Sequence, residues 1–193
     1  MSNSFFDTYQ NDAESTAIYP QNNIGYLYPY MGLAEEASEV VGKVADAISH
    51  GVWPCRLGEE SELVKELGDV MWMVSAICTD RGISLAWLVE ESKNYKCTSA
   101  NSLYPWLALA ATSGDLLGVM AKKVRKGTYP QVKVWEDQTA RTKESLLLID
   151  IIALVRISGN QLRASLGLIC ERNISKLKDR QERGKIDGSG DNR

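Results

Sequence analysis

The chain has 193 residues, a formal net charge of −3 and 44% hydrophobic residues, enough length for one domain or two small ones around a real core. That charge gives no overall basic field to draw nucleic acid or a membrane, and no apolar stretch approaches the ~20 residues a membrane span needs. The four cysteines (Cys55, Cys78, Cys97 and Cys170) have no CxxC spacing, and no basic-plus-apolar leader opens the chain; both point to reduced thiols in a cytoplasmic protein.

Taken in chain order, apolar spacing predicts helices at about 4–17, 30–49, 60–80, 84–95, 105–125, 138–157 and 160–182. His50-Gly51, Arg81-Gly82 and Lys126-Gly127 each put a glycine after a helical run, as a left-handed cap requires. Trp53-Pro54 and Tyr129-Pro130 then prevent continuation. Val132-Lys133-Val134 is the best strand candidate, and it is short. The fold class is all-α, a helical bundle.

The second and third helices carry matched acid pairs. Glu36 and Glu39 stand at i, i+3, and so do Glu66 and Asp69; residues at that spacing share a helix face. Leu33, Ala37, Val40, Val44 and Ile48 form one apolar stripe, with Glu36, Glu39 and Lys43 along its margin. Leu63, Leu67, Val70, Val74 and Ile77 form the other, with Glu66 and Asp69 at the margin and Glu62 one turn earlier. Packing stripe on stripe brings the margins together into a cup of four carboxylates. A solvated acidic edge is the plainer alternative, since Glu is a good surface helix former. Against it, both pairs border the apolar stripe, and like charges so spaced cost about 0.2–0.5 kcal/mol per pair unless a cation is present. Hard oxygen ligands suit Mg²⁺ or Mn²⁺, and facing helices are where bundles build such sites.

The chain also repeats itself. Leu27-Tyr28-Pro29-Tyr30 recurs as Leu103-Tyr104-Pro105-Trp106, and the match runs without a gap to Gly42 and Gly118 at an offset of 76. A second apolar helix follows in each half, Leu63 to Cys78 and Leu146 to Ile157, where an offset of 81 sets Asp150 on Asp69. This predicts a tandem duplication, an intramolecular pseudo-dimer of units 1–96 and 97–193 with a junction at 96–102. In the second unit Glu36 becomes Thr112, Glu39 becomes Asp115 and Glu66 falls at Leu147, too few ligands for a metal cluster.

Glu36-x-x-Glu39, a gap of 26 residues, then Glu66-x-x-Asp69 resembles the signature of the MazG-like, all-α nucleoside triphosphate pyrophosphohydrolases, a superfamily that includes the dimeric dUTPases and phosphoribosyl-ATP pyrophosphatase. Leu27-Tyr28-Pro29, Glu66-Leu67-Gly68-Asp69-Val70-Met71-Trp72, Asn173-Ile174-Ser175-Lys176-Leu177, Arg180 and the ending Gly188-Ser189-Gly190-Asp191-Asn192-Arg193 fit it too. The resemblance implies Mg²⁺ on Glu36, Glu39, Glu66 and Asp69, and cleavage of an NTP or dNTP between its α- and β-phosphates to a nucleoside monophosphate and pyrophosphate. It implies that one acid, or the metal, activates the water, with Glu35 as a spare acid. Lys43, Asn173, Lys176 and Arg193 become substrate-binding residues, and the tail a cover over the nucleotide. The second unit would complete the first unit's site, leaving one live site and one dead one. A non-catalytic helical binding or oligomerisation module with a vestigial metal site is the alternative. Base, sugar, oligomeric state and a homodimer stay open.

Other residues weigh differently. His50, the only histidine, reads as a helix-end cap. Tyr28, Trp53, Trp72 and Trp106 have the chemistry to stack a base but are commoner as core, and Tyr28 and Trp72 are the better candidates. Lys122-Lys123-Val124-Arg125-Lys126 compensates a helix dipole more simply than it binds RNA or phosphate.

Overall fold

The structure, a computed structural model, describes residues 4–53, 58–100, 102–129, 139 and 141–185. Its regular elements are helical: α1 (Ser4–Ser15), α2 (Tyr28–Ser49), α3 (Glu62–Arg81), α4 (Leu85–Ser92), α5 (Tyr104–Arg125), α6 (Lys143–Gln161) and α7 (Leu166–Glu182), with a 3₁₀ turn at Asn23–Leu27 before α2. The described residues contain no strand. Val132–Val134, Pro54, Cys55, Pro130, Arg193 and the rest of the tail from residue 186 lie outside them. No single described helix is long and apolar enough to cross a membrane.

Side-chain caps set most of the helix starts. The Ser61, Ser84 and Ser165 hydroxyls accept from the backbone N–H of Leu63, Trp87 and Leu168. Thr142 and Ser145 cap each other's backbone, so α6 begins at Lys143 rather than near residue 138. The helix also runs on to Gln161, past the predicted end at 157. α2 and α5 start alike, each with a proline in its first turn, where the missing N–H costs nothing.

One apolar core joins all seven helices, with Leu33, Val40, Leu67, Val74, Trp106, Leu116, Leu148, Ile152 and Ile169 fully buried. Ile48 departs from the predicted stripe of α2: it is 44% exposed, and Ala47 beside it is the buried residue of the last turn. α2 packs on α3 and α5, α5 on α6, α3 on α7, α4 on α6, and α3 on α6. Exchanging α2 with α5, α3 with α6 and α4 with α7 leaves these contacts unchanged. The helix ends obey the same exchange. Gly82 and Arg163, at the offset of 81, both sit at positive φ, 64° and 62°. Ile83 and Ala164, which follow them, donate back to Cys78 and Gly159 respectively. Arg163 thus holds a left-handed backbone that its Cβ disfavours, and it is the one non-glycine residue at positive φ among those described. The exchange is broken where α6 touches α7 with no comparable contact between α3 and α4, and by α1, which packs on α3, α4 and α7.

Across the middle, Tyr30 donates to the buried Glu144 carboxylate, which also takes Lys123 Nζ at 2.8 Å and Arg81 Nε at 3.5 Å. Tyr30 and Arg81 come from the first half and Lys123 and Glu144 from the second. Burial, then the Glu144 charge, pushes the Tyr30 hydroxyl well above its ordinary range. The basic run at the end of α5 therefore serves the fold through Lys123, which no local sequence pattern shows.

Candidate metal and nucleotide site

α2 and α3 run antiparallel, as their facing residues show. Gly32 abuts Met73, Glu36 feels the charge of Asp69, Glu39 bonds Glu66, and Lys43 Nζ lies 2.8 Å from Glu66 Oε1. As one number rises the other falls, so the acid-bearing margins meet. Glu36, Glu39 and Glu66 each bring a carboxylate oxygen within 4.8 Å of the others. Glu66 is only 2% exposed, deeper than a margin position implies, and Lys43 offsets its charge.

The electrostatics show the crowding. Burial and then the charges of Asp69, Glu35, Glu39 and Glu66 push the Glu36 carboxyl up to about 8. Burial and the neighbouring Glu35 raise Glu39 in the same direction. Glu36 and Glu39 thus resist ionising beside their acidic neighbours. An oxygen-only donor set with this much unneutralised charge fits a hard divalent cation.

Asp69 stands one turn beyond Glu66 and is not among the three converging acids. Its carboxylate takes Asn173 Nδ2 at 2.8 Å and Lys176 Nζ at 2.7 Å, both from α7. Gly68 makes this approach available: a Cβ there would lie 2.9 Å from the Cβ of Asn173. The sequence readings of Asn173 and Lys176 thus meet Asp69 in space across more than 100 residues of chain. Tyr9 of α1, which the sequence reading missed, donates to Asn173 Oδ1 at 3.0 Å and fixes which way the amide faces.

Beyond Lys176, a cavity of about 480 Å³ opens between the start of α3 and α7. Lys65, Arg172, Lys176, Arg180 and Arg183 line it, against Glu60 and Asp179. This excess of positive charge runs against the net charge of the chain. Its periodic signal, basic residues at 172, 176 and 180, was readable from the sequence. Of the remaining candidates, His50 Nδ1 lies 2.9 Å from the Asp46 carbonyl, a helix-end role, and Trp106 is wholly buried with its N–H on Gln161.

Comparison with known proteins gives this site its class. The model of the MazG nucleotide pyrophosphohydrolase domain matches residues 28–94, from the start of α2 to the end of α4, and so takes in all four acids. The Gene 37 protein of Mycobacterium phage L5 is 32% identical over 93 residues, 46% of this chain and 82% of that protein. No solved structure matches. The chain belongs to the MazG nucleotide pyrophosphohydrolase family.

Proposed function

We propose that the chain hydrolyses (d)NTPs to (d)NMPs and pyrophosphate with the help of a divalent cation, Mg²⁺ or Mn²⁺. The observation that carries this reading is the meeting of Glu36, Glu39 and Glu66, with Asp69 one turn away. These four residues would hold the cation, which supplies charge stabilisation on phosphoryl oxygens and a more acidic bound water. In the reaction a water oxygen bonds to phosphorus, the bond to the α–β bridging oxygen breaks, and a carboxylate of the cluster takes the proton.

The other residues position. Lys176 and Asn173 hold Asp69 in place from α7, and Tyr9 holds Asn173. Lys43, one-third exposed at the rim, and the cationic cavity at Lys176 would take the phosphates. Lys acts there as a point charge and Arg as a planar fork. We further propose that residues 1–96 and 97–193 are a duplicated pair. The exchange of helix contacts and the shared positive φ at Gly82 and Arg163 support this. The second unit then lends α7 to the first unit's acids. The intact cluster favours catalysis over a binding module with a vestigial site.

The test is pyrophosphate release from a panel of NTPs and dNTPs in Mg²⁺ and again in EDTA. Release that needs the cation and ends with Glu36→Gln is expected. Release that survives EDTA, or none from any nucleotide, would overturn the proposal.

A further inference from the structure

On the opposite side of the acids from Lys43 lies a second cavity, of about 320 Å³, lined by Ile18, Tyr19, Pro20, Tyr28 and Trp72. Three aromatic rings shape it. Tyr19 and Tyr28 lie 5.1 Å apart at 33°, and the Tyr19 ring meets Trp72 edge to face at 6.3 Å. Tyr28 remains 41% exposed, so one ring edge of the cavity faces solvent.

The antiparallel register measures how far this cavity lies from the acids. Trp72 stands two turns beyond Glu66 on α3, and Tyr28 two turns before Glu36 on α2. Both steps lead the same way along the groove. At 1.5 Å per residue the separation is about 10 Å, a span that the sugar and α-phosphate of a nucleotide bridge. A phosphate chain lying on Glu36, Glu39 and Glu66 would therefore bring its base to these rings.

Two of the rings' polar atoms are already committed inside the protein. The Tyr19 hydroxyl donates to Asp80 Oδ2 at 2.9 Å, and Trp72 Nε1 donates to Thr16 Oγ1 at 3.0 Å. Both bonds turn the polar atoms away and fix the ring planes. What these two rings offer a ligand is π surface, and every base has a π-face.

We infer that Tyr19, Tyr28 and Trp72 form a base-stacking subsite that selects nucleotides by stacking area rather than by hydrogen-bond pattern. It accepts all the common bases and prefers purines to pyrimidines. The inference rests on the nucleotide-hydrolysing reading of the acid cluster, and its test separates the two.

Isothermal titration in Mg²⁺ measures binding of α,β-methylene analogues of the four dNTPs, and of inorganic tripolyphosphate as the baseless control. Wild type, Trp72→Leu, Trp72→Phe and Tyr28→Ala are compared. The expected result is roughly 10- to 100-fold weaker nucleotide binding by Trp72→Leu, with tripolyphosphate unchanged. Trp72→Phe should recover most of the loss, and Tyr28→Ala should reproduce it in smaller degree without touching a buried residue. Purine analogues should lead pyrimidines by less than about tenfold, as their larger stacking area implies. Equal loss for nucleotide and tripolyphosphate, or no loss, would overturn the subsite and leave the phosphate reading standing. One base favoured by over about 100-fold would overturn selection by stacking area. Wild type that binds neither ligand would overturn both readings.

Discussion

Under the proposed duplication, the acid-bearing region and its counterpart in the second half have matching helix contacts and differ at most side chains. Where α2 and α3 carry Glu36, Glu39, Glu66 and Asp69, α5 and α6 carry Thr112, Asp115, Leu147 and Asp150. Gly68 and Asn173, which touch beside Asp69, correspond to Ile149 and Ser92; Lys176 corresponds to Tyr95. Burial alone pushes Asp150 above its ordinary carboxyl range, whereas at Glu36 four other acids add to burial. The same helices can therefore carry either a charged cup or an ordinary half-buried surface, and side-chain chemistry decides which.

The sharpest way to break that comparison is to neutralise one acid on each side. Glu36→Gln or Glu66→Gln should lower turnover at least ~100-fold, the scale of losing part of a metal site. Asp115→Asn and Asp150→Asn should change it little. In metal-free buffer Glu36→Gln should melt higher than wild type, because repulsion is relieved, and in Mg²⁺ that advantage should vanish. Calorimetric titration should find one metal cluster per chain; two equivalent clusters would erase the asymmetry.

The contact between halves is the next target. Lys176→Ala should raise KM about tenfold or more in steady-state kinetics, since it removes a cation from both Asp69 and the phosphate cavity. Removal of residues 186–193 should weaken nucleotide binding while circular dichroism keeps the helical signal. A truncated chain with unchanged kcat/KM would leave the tail no role.

Gly68→Ala probes the close approach itself. The added methyl meets Asn173 at a distance real side chains do not adopt, so α7 must shift. Over-packing of this kind costs about 1–3 kcal/mol, read as a lower urea midpoint, and it should also raise KM. The smallest expected change lies at the opposite helix end. Arg163→Gly would restore the residue type of Gly82, remove a left-handed penalty of about 1–2 kcal/mol and lose part of it to chain entropy. A net gain near 1 kcal/mol raises Tm by about 2–4 °C in a chain of this size.

Much of this was legible from the residues. The acid pairs, the apolar stripes and the proline starts at Tyr28-Pro29 and Tyr104-Pro105 are local patterns, and local physics fixes them. The start of α6 was less legible, because the Thr142–Ser145 cap rather than apolar periodicity sets the boundary. The depth of Glu66 was not legible, since burial depends on how closely α2 and α3 approach and on Lys43 reaching across. Tyr9 and the Glu144 cluster were invisible for the same reason. Their partners lie 164 residues away for Tyr9, and 114 and 21 residues away for Glu144, with no repeating spacing to betray them.

The Glu144 cluster has a consequence for assembly. Under the exchange of halves, Tyr30, Arg81, Lys123 and Glu144 correspond to Trp106, Leu162, Ala47 and Leu63, all buried and none of them charged. Two first halves pressed together would seal Arg81 against Leu63 and Ala47. Two second halves would keep Lys123 on Glu144 but set Trp106 and Leu162 where Tyr30 and Arg81 complete its buried carboxylate. The first arrangement strands the Arg81 charge, at a cost of about 3–5 kcal/mol for the broken pair, and the second leaves Glu144 short of two partners. Only unlike halves close this seam, so fragments 1–96 and 97–193 made separately would recognise each other and reject themselves.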